Sequence, residues 1–244
     1  DDVQLTGAGT ATATFVDSLN NPDANVARNP ATQAVIAKDV LVSGFGITGA
    51  DAGNYTIAQP TGIPARILPV EVIITGTQIT SKVYDTTTSA SVGNFGSVQG
   101  IEYSAGQFET LALDTGNVQA MFADRNVGIL KDVAVTGYEL LDGTTGTTGL
   151  ASNYTLVDPS GVKGEITAKT IVIKTTNPDN SVVSGLVAED KVYDGTTIAS
   201  IASGAFLDGT FLTDDVSLDL NAVAAQFADK NVASNISVTV SGVS

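Results

Sequence analysis

A chain of 244 residues with no Cys, no His, no Trp and a formal net charge of −15 lacks the side chains of most familiar catalysis. Disulfides, thiolate nucleophiles, ordinary zinc ligation and a Ser-His-Asp arrangement are all excluded. Eleven Lys+Arg against 26 Asp+Glu argues against nucleic-acid binding, whose affinity comes mostly from neutralising phosphates. No apolar run approaches the roughly 18 residues of a membrane-spanning helix, so membrane insertion is not expected. The start on Asp1-Asp2-Val3, with neither Met nor signal peptide, reads as a mature product or an excised piece.

Taken in chain order, the elements read as strands and turns. Val40 and Val42 occupy the stretch equivalent to the alternating strand of the later copies. Gly44-Phe45-Gly46-Ile47-Thr48-Gly49 has the spacing of a dinucleotide loop, but turn and strand residues follow it where a helix is required. Val72-Ile73-Ile74 and Ile171-Val172-Ile173 look like fully buried strands. Val133 and Val135 repeat the Val40-Val42 pattern, as do Ile236, Val238 and Val240. Val216, Leu218 and Leu220, followed by Val223, Ala225 and Phe227, predict a hairpin over 216–228.

Self-similarity organises the whole. Lys82-Val83-Tyr84-Asp85-Thr86-Thr87 returns 109 residues later as Lys191-Val192-Tyr193-Asp194-Gly195-Thr196-Thr197. Phe122-Ala123-Asp124-Arg125-Asn126-Val127 returns 105 residues later as Phe227-Ala228-Asp229-Lys230-Asn231-Val232, and the first copy reads Asp23-Ala24-Asn25-Val26 in its place. Ala52-Gly53-Asn54-Tyr55-Thr56-Ile57 returns as Ala151-Ser152-Asn153-Tyr154-Thr155-Leu156, and Asp1-Asp2-Val3 as Asp214-Asp215-Val216. This phase gives the later part of one repeat at 1–66, a whole repeat at 67–168 and the earlier part of another at 169–244. A period near 105 residues predicts an all-β chain of tandem β-sandwich, Ig-like or barrel-like modules in an elongated array.

Several patterns point to chemistry. Asp114-Thr115-Gly116 mimics an aspartic-protease loop, but that reaction needs two facing carboxylates and the third copy reads Asp219-Leu220-Asn221; a turn is expected instead. Asp214, Asp215, Asp219 and Asp229, with Glu109, Asp114 and Asp124 in the middle copy, are candidate Ca²⁺ ligands as hard oxygen donors. The alternative is solvated turn carboxylates. Asn54, Asn153 and Asn235 open N-x-[ST] glycosylation triplets, or serve as turn residues. Lys82 and Lys191, with Asn126 and Asn231, are candidates for amide crosslinks that would constrain a Cys-free chain, or simply for charge pairing.

The Lys-Val-Tyr-Asp-Gly-Thr-Thr block, the Phe-Ala-Asp-Lys-Asn-Val block and Asp51-Ala52-Gly53-Asn54-Tyr55-Thr56 together resemble the YDG repeat of large bacterial exoproteins related to filamentous haemagglutinin. The resemblance spans essentially the whole chain and carries no catalytic residues. It implies a secreted, surface-attached, non-enzymatic array at the bacterial cell surface, exported by a partner transporter in the outer membrane. The function expected is a stalk or spacer in an adhesin serving cell adhesion and biofilm, its partners being neighbouring repeats. Two alternatives remain open. One is a filament subunit whose incomplete end repeats complete one another by strand addition. The other is a module that binds a polysaccharide or a cell-surface receptor directly.

Overall fold

The computed structural model describes residues 2–243, and among these there is no α-helix, only short strands and two single turns of 3-10 helix. The all-β expectation holds, and the largest sheet is six-stranded and barrel-like. Asp1 of the opening Asp1-Asp2-Val3 copy lies outside the described residues. The chain divides into two compact units. One comprises the chain up to Ser81 with Ser89–Ala123 and Leu130–Glu165; the other comprises Lys82–Thr88, Asp124–Ile129 and the chain from Ile166 onward.

One hairpin recurs three times with one register. Thr12–Phe15 pairs antiparallel with Lys38–Ser43, so that Phe15 faces Val40 and Ala13 faces Val42. In the middle copy Gln119–Phe122 pairs with Gly128–Thr136, with Phe122 opposite Val133 and Ala120 opposite Val135. In the third, Ala224–Phe227 pairs with Val238–Ser241, with Phe227 opposite Val238 and Ala225 opposite Val240. Because strand side chains alternate faces, these Phe, Ala and Val residues all share one face, and a slip of one residue would turn every one of them to solvent.

Burial then depends on what covers that face. In the middle copy Ser89–Ser97 flanks the hairpin, and Thr75–Thr80 extends the sheet beyond it. Ala120, Phe122, Val133 and Val135 are all buried there. The first and third copies have three-stranded versions of the sheet, and Phe15, Val40, Phe227 and Val238 are only half-buried. The hairpin strand ends in each copy on a glycine of positive φ: Gly44 (+97°), Gly137 (+90°) and Gly242 (+77°). A Cβ at Gly137 would lie 2.4 Å from the Asn117 carbonyl oxygen, and one at Gly242 would lie 2.3 Å from that of Ala222.

Two sequence expectations are corrected. The hairpin over 216–228 does not form, because Ala224–Phe227 finds its partner in Val238–Ser241 across the Asp229 turn. The middle-copy counterpart of Val216–Leu220, Leu111–Asp114, instead pairs with Glu139–Asp142. The equivalent of that partner would begin at Ser244, outside the described residues. Nor are Val72-Ile73-Ile74 and Ile171-Val172-Ile173 fully buried. Val72 and Ile74 are inside, but Ile73 is 60% exposed and Val172 is exposed as well. Val70–Ile73 lies in a two-stranded parallel pair with Tyr154–Val157, and only one of its faces is covered.

Gly137→Ala should therefore lower the unfolding free energy by about 2–3 kcal/mol, combining left-handed backbone strain with the clash at Asn117. Gly161 also has positive φ (+67°) but open space around it. Gly161→Ala should cost only about 1 kcal/mol, the backbone part alone. Urea unfolding of the two variants checks the difference, and equal losses would refute the close approach.

Candidate functional site

The recurring polar residues build turns. Lys82 Nζ donates to Asp85 Oδ1 (2.7 Å), to the Thr87 carbonyl (2.8 Å) and to Thr87 Oγ1 (2.9 Å), while the Thr87 N–H donates to the same Asp85 oxygen (2.9 Å). Lys191 repeats this with Asp194 Oδ1 (2.8 Å), the Thr196 carbonyl (2.9 Å) and Thr196 Oγ1 (3.0 Å), and adds the Ile198 carbonyl (2.9 Å). A Lys three residues before an Asp thus folds back as the hub of its own loop. The Lys82 hydrogen bond, followed by the Thr87 N–H, holds the Asp85 carboxyl down at about 2. Lys191 and the Thr196 N–H do the same for Asp194, also to about 2.

The residue after each Asp stands in the left-handed region, Thr86 at φ +69° and Gly195 at φ +79°. Glycine suits that conformation, whereas a β-branched residue is strained in it. The sequence departure at Thr86 therefore keeps the turn and carries a strain that the third copy avoids.

The Asp-rich segments are Asx turns. Asp23, Asp124 and Asp229 each accept the backbone N–H two residues on, from Asn25 (2.9 Å), Asn126 (2.8 Å) and Asn231 (2.8 Å). Asp114 accepts from Gly116 and Asp219 from Asn221, both at 2.8 Å. Asp114-Thr115-Gly116 is therefore a turn closing the strand Leu111–Asp114, and Gly44–Gly49 leads into a short strand, Gly46–Thr48. Asp214 accepts from the Tyr84 hydroxyl (2.9 Å), and Asp215 is exposed. Among the described residues no three Asp or Glu side chains come together as a metal-binding group, so the structure does not assemble the calcium candidates.

The three glycosylation candidates sit in different settings. Asn54 is exposed at the end of the 3-10 turn Ala52–Asn54, and Asn235 is exposed with φ +59°. Asn153 ends the matching turn Ala151–Asn153 but is half-buried. Its Oδ1 accepts the Val26 N–H (2.8 Å) and its Nδ2 donates to Asn25 Oδ1 (2.9 Å). Of the crosslink candidates, Lys191 and Asn231 line one concavity of about 520 Å³. The Lys191 ammonium, however, is directed into its own turn.

Sequence reasoning missed the groups that tie these turns down. Lys38 is buried, donates to the Asp23 and Asn25 carbonyls (both 3.0 Å) and pairs with the Asp23 carboxylate. That hydrogen bond, with the Asn25 N–H, lowers the Asp23 carboxyl below its ordinary range. Tyr154 is buried; its hydroxyl donates to Glu109 and accepts the Ile101 N–H (3.0 Å). Burial first, and the Glu109 bond second, raise its phenol. Glu109 and Asp214 are equivalent positions, 105 residues apart like Phe122 and Phe227, and each accepts a tyrosine hydroxyl. That shared spacing was the available signal.

Thr86→Gly should stabilise the chain by about 0.5–1 kcal/mol, the relieved strain less the added flexibility of the unfolded chain; an unchanged urea midpoint would count against it. Asp85 and Asp194 ionise more readily folded than at their ordinary value of 3.8. Their contribution is therefore complete above about pH 4 and is lost as pH falls through about 2. The stability gap between the parent chain and Asp194→Asn should accordingly be widest above pH 4 and close towards pH 2. A gap that is constant with pH would exclude the Lys191 pairing as its source.

A family model described as YDG domain matches residues 68–161 and 177–244. No curated protein and no solved structure matches the chain. Those matched stretches contain both Lys-centred turns and both Phe-Ala-Asp blocks, so the chain belongs to the YDG domain family.

Proposed function

We propose that the chain is a run of structural spacer repeats in a secreted bacterial surface adhesin of the filamentous-haemagglutinin type, without enzymatic activity. The observation that supports this reading is the use to which the recurring residues are put. In three copies the same hairpin register returns. The recurring Lys and Asp side chains close turns of that scaffold, the Asp carboxylates accepting the backbone N–H of the recurring Asn. The recurrence of these Lys and Asp residues is accounted for by folding, with no ligand required. On this reading each copy adds length, and the net charge of −15 keeps a long array soluble and self-repelling.

Beads coated with the purified chain should fail to retain host cells or a panel of immobilised polysaccharides. The same chain tethered to a force probe should unfold in discrete steps. Saturable retention on cells or glycan would overturn the spacer reading in favour of a binding module.

A further inference from the structure

Tension on a serial array reaches each copy through the chain that enters it and the chain that leaves it. In the whole repeat the entering strand, Val70–Ile73, and the late strand, Tyr154–Val157, lie side by side in parallel, with Val70 opposite Tyr154 and Ile73 opposite Val157. The chain arrives at the Val70 end of this ladder and departs at its Val157 end. Pulling there drives the two strands past each other along their own axes. Their hydrogen bonds run across that direction, so all of them are strained together and no single bond takes the load alone. The residues between the two strands, with the antiparallel pairs they form, are bypassed while the parallel pair holds.

The late strand is also pinned against sliding. Pulling moves it towards its C-terminal end, away from the contacts made around Tyr154. Tyr154 is buried, and its hydroxyl donates to Glu109 and accepts the Ile101 N–H (3.0 Å). Its carbonyl accepts from Arg28 Nη2 (3.0 Å), and the Ser152 carbonyl accepts from Arg28 Nε (2.8 Å). The Asn153 side chain accepts the Val26 N–H (2.8 Å) and donates to Asn25 Oδ1 (2.9 Å). Asn25, Val26 and Arg28 belong to the preceding copy and lie in the same compact unit as the strand pair. On the entering strand Val72 is buried, as is Ile74 just beyond its end. The last strand of the repeat, Lys163–Thr167, is held in the same manner. Its Ile166 and Thr167 pair in parallel with Lys82 and Val83, and the Tyr84 N–H donates to the Thr167 carbonyl (2.9 Å).

We propose that the parallel pair of Val70–Ile73 with Tyr154–Val157 is a mechanical clamp. It sets the force at which the repeat opens, and Arg28 of the preceding copy locks its late strand. The clamp rests on the spacer reading above for its use, and it names the element by which such a spacer bears tension.

Because the chain has no Cys, two introduced thiols can set the direction of pull in single-molecule force measurements. Leu68→Cys with Asp158→Cys loads the two strands from opposite ends of their ladder. Leu68→Cys with Ser152→Cys loads the same strands from the same end, so the ladder peels one bond at a time. All three positions are exposed. Either opening releases on the order of 300 Å of extended chain, which identifies the event. Both double variants should keep the urea midpoint of the parent, so that a difference in force is one of direction. The opposite-end pull should need a several-fold higher force, and Arg28→Ala should lower that force. Equal forces in the two directions, or a higher force from the same end, would overturn the clamp. An opposite-end force unchanged by Arg28→Ala would overturn the lock. Cells or polysaccharide retained on the coated beads would overturn the spacer reading and leave the clamp standing; equal forces without retention would do the reverse.

Discussion

Each copy depends on a cross-strand pairing of small and large apolar residues, Phe opposite Val and Ala opposite Val two positions away. The pairing puts four apolar side chains on one face and sets which backbone groups remain for the next strands. The strand-ending glycine follows from it. With the register fixed, the chain must turn where the adjoining loop's backbone comes within van der Waals distance, at Asn117 in the middle copy and Ala222 in the third. Only a residue without Cβ fits both the space and the positive φ. The Asx turn on the other side of the hairpin is fixed in the same way, with Asp124 capping the segment that leads into Gly128–Thr136.

Lysine gives the fold a second type of constraint. Lys82 and Lys191 bind backbone carbonyls as well as a carboxylate, so they act as tethers for loops with no regular structure. Lys38 does this from a buried position. A buried ammonium is tolerated only where several oxygens surround it, and here those oxygens come from the turn being held. In a chain with no Cys, such tethers occupy the role that disulfides fill in small secreted domains.

Much of this was legible in the sequence, and the reasons are local. The alternation at Val133-Val135 and Val238-Val240 is a period-2 signal that reports one covered face, and that face exists. Asp followed two residues later by Asn or Gly announces a turn through its own hydrogen bond, as at Asp114, Asp124 and Asp229. What was not legible depends on partners far along the chain. Val216–Leu220 looked like half of a hairpin because its neighbour in sequence also alternates, but its middle-copy counterpart Leu111–Asp114 pairs with Glu139–Asp142, some two dozen residues on, rather than with the adjacent strand. The apolar run at Val72-Ile73-Ile74 could not reveal that its sheet has only two strands. Glu109 carried no local mark of a tyrosine partner 45 residues on; only the comparison with Asp214 exposes the role.

The parallel pair of Val70–Ile73 with Tyr154–Val157 joins the two ends of the whole repeat. A parallel pairing cannot close through a tight turn, so everything between must be present before the first strand finds its partner. The Lys-centred turns and hairpins within the repeat are short-range and can form as the chain lengthens. The closing pair cannot. A chain appearing from its N-terminus therefore carries Val70–Ile73 as an unsatisfied edge until residue 154 has followed. Completion of this repeat therefore lags its first residue by most of its own length.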